Sequence, residues 1–236
     1  MTPLVSILLP TRKRRIMLES SLVSLLNRAQ HPERIEICIA HDDDDKESQD
    51  YFSSLTWQKL LNTYQCTAQV YSVPRWGYGE LHRYLNFLAE RAHGEWMFFW
   101  GDDALMETQN WDQQIVHNQN FVGLLHIPAS NAPMYCSILP LFHRKWVDLF
   151  GCVSPINHAD SWITDIAKAA RARRVIPVSI FHDRFEDSGH NNDETYNDKR
   201  NAIISGSNQD YHKPEYVKMR QDWAQKLATY RDSQSV

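Results

Sequence analysis

No stretch of this sequence approaches the roughly 20 consecutive apolar residues that a helix needs to cross a bilayer, so no membrane span is expected. Cysteine is scarce. Cys38, Cys66, Cys136 and Cys152 form no CxxC pair and have no zinc-like spacing, which leaves reduced thiols as the reading. Positive charge is not in excess either: the formal net charge of −4 argues against nucleic-acid binding by bulk charge, although a local basic groove stays compatible with it. No secretory signal is expected either, because the apolar run Leu4–Leu9 is short and the basic cluster Arg12-Lys-Arg-Arg15 follows it instead of preceding it. Internal repeats and low-complexity tracts are absent. Together these absences lead us to expect a cytoplasmic protein.

What is present is ordinary globular composition, with 42% hydrophobic and 23% charged residues, which places the 236 residues among soluble folded domains. The stretch Glu95-Trp-Met-Phe-Phe-Trp-Gly-Asp-Asp-Ala-Leu-Met106 organises the rest. Its uninterrupted apolar run, Trp96 to Trp100, reads as a strand buried on both faces, as in a parallel sheet. Ligands of such sheets bind beyond the carboxyl ends of the strands, which puts Asp102 and Asp103 at the mouth of a crevice. Adjacent carboxylates repel unless solvent, donors or a cation compensate. Divalent cations that also bind phosphates commonly use one or two carboxylates. An acidic turn closing a core strand is the simpler alternative.

Taken in order, Leu4–Leu9 reads as a strand ended by Pro10, and Leu18, Leu22, Leu25 and Leu26 mark a helix over about residues 15–28. Ile35–Ala40 is a second strand, completing a βαβ unit whose crossover is right-handed. Pro10-Thr-Arg12 and Asp42-Asp43 therefore arrive at the same sheet edge as Asp102-Asp103. Residues 46–66 read as one polar helix, Ala68–Val73 as a third strand, and Leu81, Leu85, Leu88 and Ala92 as a helix packed on the sheet. Strands are also expected over Phe121–Ile127, Met134–Phe142 and Val175–Phe181. Asp160 is expected to cap a helix over 161–174, residues 183–212 to form a long polar loop, and Tyr216, Trp223, Leu227 and Tyr230 to mark a closing helix. The alternation predicts a three-layer α/β/α sandwich with a mainly parallel sheet.

Four segments, in register, resemble a family 2-type glycosyltransferase of the GT-A fold. Val5-Ser-Ile-Leu-Leu-Pro-Thr-Arg12 is similar to the family's first strand and nucleotide loop, and Ile37-Cys-Ile-Ala-His-Asp-Asp43 to its second strand. Gly79-Glu-Leu-His-Arg-Tyr-Leu-Asn86, then Ala92-His-Gly-Glu-Trp96, resembles the helix leading into the DxD strand. Gly101-Asp-Asp103 stands at the DxD position, with glycine where the first acid belongs. The resemblance covers residues 4–106 well and the remainder loosely. It implies one domain over 1–236, with a nucleotide-sugar half (1–106) and an acceptor half (107–236).

The resemblance further implies a metal-dependent, inverting, hexosyltransferase-like enzyme with a nucleotide-diphosphate sugar as donor. The acceptor would carry a hydroxyl, on a glycan, a lipid-linked sugar or another compound. Pro10, Thr11, Arg12, Asp42, Asp43, Arg83 and Asp102 are the candidate nucleotide contacts. Asp103, assisted by Asp102 and with His182 as a late ligand, would hold Mn2+ or Mg2+. Asp160 is the candidate base, ionised by its helix end, and Asp165 its competitor. Trp76, Tyr78 and Trp100 are candidates for stacking on a sugar. Two rival readings are a nucleotidyltransferase acting on sugar phosphates and a non-catalytic nucleotide-sugar-binding module. The first suffers from the lack of glycine in Pro10-Thr-Arg-Lys-Arg-Arg15, and the second draws support from Gly101.

Overall fold

Alternating apolar side chains in the first strand determine where the helices must go. In the computed structural model, which describes residues 2–131, 134–183, 193–204 and 209–234, Val5, Ile7 and Leu9 enter one apolar core and Leu8 a second. Successive strand side chains point to opposite faces, so both faces of the sheet need a covering layer.

The chain begins with β1 (Val5–Thr11), α1 (Arg15–Asn27), β2 (Ile35–Asp42), α2 (Lys46–Phe52), α3 (Leu55–Tyr64) and β3 (Thr67–Val73). It continues through α4 (Leu81–Arg91), β4 (Trp96–Phe99), β5 (Ala104–Met106), α5 (Gln113–Val116), β6 (Leu124–His126) and β7 (Leu141–His143). The last elements are α6 (Lys145–Phe150), α7 (Ala159–Ala169), β8 (Arg173–Val175), β9 (Ile180–His182), α8 (Glu194–Ile204) and α9 (Pro214–Ser233). Helices α1, α2 and α3 cover one face with Leu18, Leu22, Leu25, Tyr51 and Trp57. Helices α4, α6, α7 and α9 cover the other with Leu85, Leu88, Trp146, Trp162, Ile166 and Leu227. Full burial of a leucine such as Leu22 contributes on the order of 2 kcal/mol. The result is the expected three-layer sandwich.

The main sheet has the order β3-β2-β1-β4-β7-β6-β8. Strands β3, β2, β1 and β4 run parallel, β7 is antiparallel to both its neighbours, and β8 is parallel to β6. Because β2 and β4 flank β1 on opposite sides, the winding reverses there, and the crevice for a ligand opens at that switch point. Strands β5 and β9 leave the sheet and pair with each other, antiparallel, with Ala104 opposite His182.

Several sequence expectations need correction. The helix expected over 46–66 is two, because Ser54 caps a new helix by accepting from Trp57 N. The strand expected over Val175–Phe181 is also two: Pro177 interrupts the ladder, and β9 departs to pair with β5. Of Phe121–Ile127 and Met134–Phe142, only Leu124–His126 and a segment starting at Leu141 are strand. Asp160 is not the cap of its helix. His158, at φ 70°, holds that position, and Asp160 is the second residue of α7. Within the expected loop 183–212, residues Glu194–Ile204 are the helix α8. Residues 184–192 and 205–208 of that expectation lie outside the described residues. Among the described residues, no helix is long and apolar enough to cross a membrane.

Candidate active site

The carboxyl ends of β1, β2 and β4 open into a cavity of about 460 Å³. Pro10, Thr11 and Arg12 line it from the end of β1, Asp42 from β2, and Asp102 and Asp103 from beyond β4. Asp160 of α7 and His182 of β9 face the same space. Four residues singled out from sequence, Asp43, Trp76, Arg83 and Asp165, are not part of its lining. Asp43 is exposed, and its backbone N–H donates to Val73 O. The Arg83 guanidinium lies over the Trp76 ring at 4.8 Å. Asp165 is exposed and accepts a 2.5 Å hydrogen bond from Tyr211 Oη. Of the aromatics, Tyr78 and Trp100 both line the cavity, although the Trp100 ring is buried in the core and donates to Ser21 Oγ.

The two adjacent acids have different partners. Asp102 accepts from Thr11 Oγ1 at 2.8 Å and from Arg14 at 2.9 Å. Asp103 faces His182, whose Nε2 stands 3.1 Å from Oδ1, while Arg14 is 3.6 Å from Oδ2. Burial pushes the Asp102 carboxyl above the usual carboxylate range, with Arg14 opposing and Asp103 adding to the rise. Burial acts on Asp103 in the same sense, but the hydrogen bond and charge of His182, with Arg14, hold it lowered. Like charges side by side are thus separated in their titration by what faces each of them.

Strand pairing is what brings His182 to Asp103. With Ala104 opposite His182 in the β5–β9 ribbon, the residue before Ala104 meets the end of β9, and Asp183 N donates to Asp103 O at 2.8 Å. Gly101 matters for the same geometry. A Cβ at that position would come within 2.6 Å of Asp103 Oδ1, so glycine leaves room for the carboxylate to lie over the strand end.

Asp42 is held by two groups. Arg12 donates to Oδ2 at 3.0 Å and Tyr84 Oη donates to Oδ1 at 2.5 Å. The same hydroxyl accepts from Trp76 N and Gly77 N, tying the loop after β3 to the end of β2. Burial raises the Asp42 carboxyl, against the lowering by Tyr84 and Arg12.

Asp160 accepts from Ser161 N at 2.7 Å, and Cys136 Sγ lies 3.9 Å from its other oxygen. The helix end was expected to lower its pKa. Burial prevails, and the carboxyl is raised.

Sequence reasoning missed Arg14 and Tyr84. Arg14 belonged to the noted basic cluster, but only the turn at Lys13, with φ 51°, reveals which cations point inward. Nothing in the sequence distinguishes the hydroxyl of Tyr84 from that of any other helix tyrosine.

Asp103 and His182 are the two residues that could ligate one divalent ion of the Mg2+ or Mn2+ kind. Two ligands at about 2.1 Å and at right angles on an octahedral ion stand roughly 3 Å apart. Asp103 Oδ1 and His182 Nε2 are separated by 3.1 Å. Asp102 is already engaged by Thr11 and Arg14. Among the described residues no group of three or more His, Cys, Asp or Glu side chains is placed to hold an ion. A metal here would take its other ligands from water and from a bound phosphate.

No protein-family model and no curated protein sequence matches the chain. Solved structures do. The mannosyltransferase PcManGT from Pyrobaculum calidifontis, in complex with GDP-Man and Mn2+, is 13% identical with a TM-score of 0.60, over 98% of this chain and 87% of that one. S. aureus TarS 1–349 in complex with UDP-GlcNAc is 12% identical with a TM-score of 0.57, over 98% and 83%. The same TarS fragment in complex with UDP is 14% identical with a TM-score of 0.54, over 76% of this chain and 58% of that one. The fold is therefore the GT-A-like three-layer arrangement that the sequence led us to expect.

Proposed function

We propose that this protein transfers a sugar from a nucleotide-diphosphate donor to an acceptor hydroxyl, with inversion at the anomeric carbon. One observation carries the reading: the strand-end residues Thr11, Arg12, Asp42, Asp102 and Asp103 share a single cavity with the carboxylate of Asp160. The first group suits a nucleoside diphosphate, and the last suits a proton acceptor.

In this account Asp42, fixed by Tyr84 and Arg12, contacts the nucleoside. Asp103 and His182 would hold Mn2+ or Mg2+, which when bound would offset charge on the leaving diphosphate. Asp160 takes the proton of the acceptor hydroxyl as its oxygen bonds to the anomeric carbon. The bond from that carbon to the diphosphate oxygen breaks, and the diphosphate departs with the electron pair. The raised Asp160 pKa makes it a stronger base than an exposed carboxylate. Asp165, outside the cavity and bonded to Tyr211, is poorly placed for that role.

The test is a panel of nucleotide sugars, led by GDP-mannose and UDP-N-acetylglucosamine, incubated with manganese and a mixture of hydroxyl acceptors. Acceptor-dependent release of nucleoside diphosphate is the expected result. Formation of pyrophosphate from a sugar phosphate and a nucleoside triphosphate would point instead to nucleotidyl transfer. Binding without turnover across the panel would indicate a non-catalytic module.

A further inference from the structure

The arginines that face the cavity already hold anions, and these come from the chain itself. Arg14 and Arg12 line the cavity with side chains only 8% exposed. Arg14 presents its fork to Asp193, with Nε at 2.6 Å from one carboxylate oxygen and a terminal nitrogen at 2.9 Å from the other. Arg12 donates to Glu194 at 3.0 Å. Lys13 and Arg75 reach the same Glu194 at 2.6 Å and 3.1 Å, and Arg75 also binds Asp198 at 2.6 Å. These acids sit at the start of α8. Asp193 also accepts from Tyr196 N, capping the helix.

Charge balance makes this arrangement informative. Within the network the cations are Arg12, Lys13, Arg14 and Arg75, and they face Asp42, Asp44, Asp102 and Asp103 of the sheet edge. Those groups balance one another. The acids Asp193, Glu194 and Asp198, set against Lys199 of the same helix, which also lines the cavity, then leave an excess of negative charge beside a cavity suited to a diphosphate. A second anion cannot enter on top of that excess without repulsion. The hold of α8 is also weak in kind: it buries none of its residues, so it depends on partly exposed ion pairs, which contribute little each. Carboxylate and phosphate satisfy an arginine fork in the same bidentate geometry, so one can replace the other.

We infer that Asp193 and Glu194 are internal stand-ins for a diphosphate. On donor binding the two phosphates exchange for these carboxylates, and Arg14, with Arg12, becomes the cationic clamp on the leaving group. The inference rests on the nucleotide-diphosphate reading given above and adds to it a binding residue and a built-in competitor. Affinity for the donor is thereby set by the exchange as well as by the contacts made.

The experiment measures binding of UDP, GDP and inorganic pyrophosphate by calorimetry to the full chain and three variants, each with and without manganese. The variants are the Asp193→Asn/Glu194→Gln pair, Asp193→Asn alone and Arg14→Gln. Asparagine at 193 preserves a capping oxygen, so the single variant keeps α8 even where the double loses it. Removing the competitor should tighten binding of the diphosphate roughly tenfold or more, the scale of one charge-assisted hydrogen bond freed. Arg14→Gln should weaken it by a similar factor, and high salt should shrink the difference between native chain and double variant. A diphosphate that binds the native and neutralised chains equally overturns the exchange while leaving the transferase reading in place. Failure of every chain to bind any of the three ligands overturns both.

Discussion

Thr11 Oγ1 donates a 2.8 Å hydrogen bond to Asp102 Oδ2, joining the ends of β1 and β4 across 91 residues of sequence. This bond spans the point where the sheet reverses its winding. It also decides how the tandem acids divide their work. Asp102, bonded to Thr11 and Arg14, is part of the frame, and Asp103 is left to face His182.

The division predicts unequal consequences of neutralising the two acids. Asp103→Asn and His182→Gln should each abolish most of the effect of manganese on nucleotide-diphosphate binding, and a chelator should remove it from the native chain. Asp102→Asn should lower stability but keep the manganese effect. Titrations of GDP and UDP with and without manganese read this directly. Loss of the manganese effect in Asp102→Asn, with retention in Asp103→Asn, would reverse the assignment.

Tyr84→Phe tests the frame. Its hydroxyl serves Asp42, Trp76 N and Gly77 N, and the side chain is 6% exposed. Asp42 keeps Arg12 and the two amides lie in a half-buried loop, so a loss on the order of 2 kcal/mol, the scale of one group left unsatisfied, is expected. Urea denaturation should show a lower midpoint with an unchanged slope. A midpoint equal to that of the native chain would contradict the role given to this hydroxyl.

His126 should make the fold acid-sensitive. It is fully buried in β6, and among the described residues neither ring nitrogen has a hydrogen-bond partner. Burial, with Arg173 and Lys168 nearby, pushes its pKa down to about 4. The unfolded chain takes up the proton near pH 6.5 while the folded chain refuses it, so this contribution is intact above pH 6.5 and is lost as pH falls towards 4. One such site changes stability by at most about 1.4 kcal/mol per pH unit. His126→Leu should flatten the decline in melting temperature between pH 6.5 and 4.5, and an unchanged decline would remove His126 as its source.

Much of the fold was legible in the sequence because buried parallel strands leave apolar runs. Leu4–Leu9, Ile35–Ala40 and Trp96–Trp100 each ended in the polar residues that now line the cavity. The later strands were harder to read, since each is three residues long and paired by context. Pro177 is the sign in the sequence that Val175–Phe181 breaks into two strands. The acids of α8 lay in a polar stretch whose charges carry no periodic signal, so their meeting with Arg12 and Arg14 is purely tertiary. Asp160 shows the limit of a local rule: proximity to a helix start argued for a lowered pKa, and burial reversed it.

The central claim, that Asp160 receives the proton in a sugar transfer at this cavity, is tested most directly by one comparison. Turnover and donor affinity are measured for the native chain, Asp160→Asn and Asp165→Asn with whichever nucleotide sugar the panel identifies. Asp160→Asn should lose roughly a hundredfold or more in kcat, the usual scale for a missing general base, with donor Kd nearly unchanged. In the native chain kcat should fall as pH drops through the raised Asp160 pKa, and Asp165→Asn should behave like the native chain. Near-native turnover by Asp160→Asn together with a collapse in Asp165→Asn would contradict the account and move the base to Asp165.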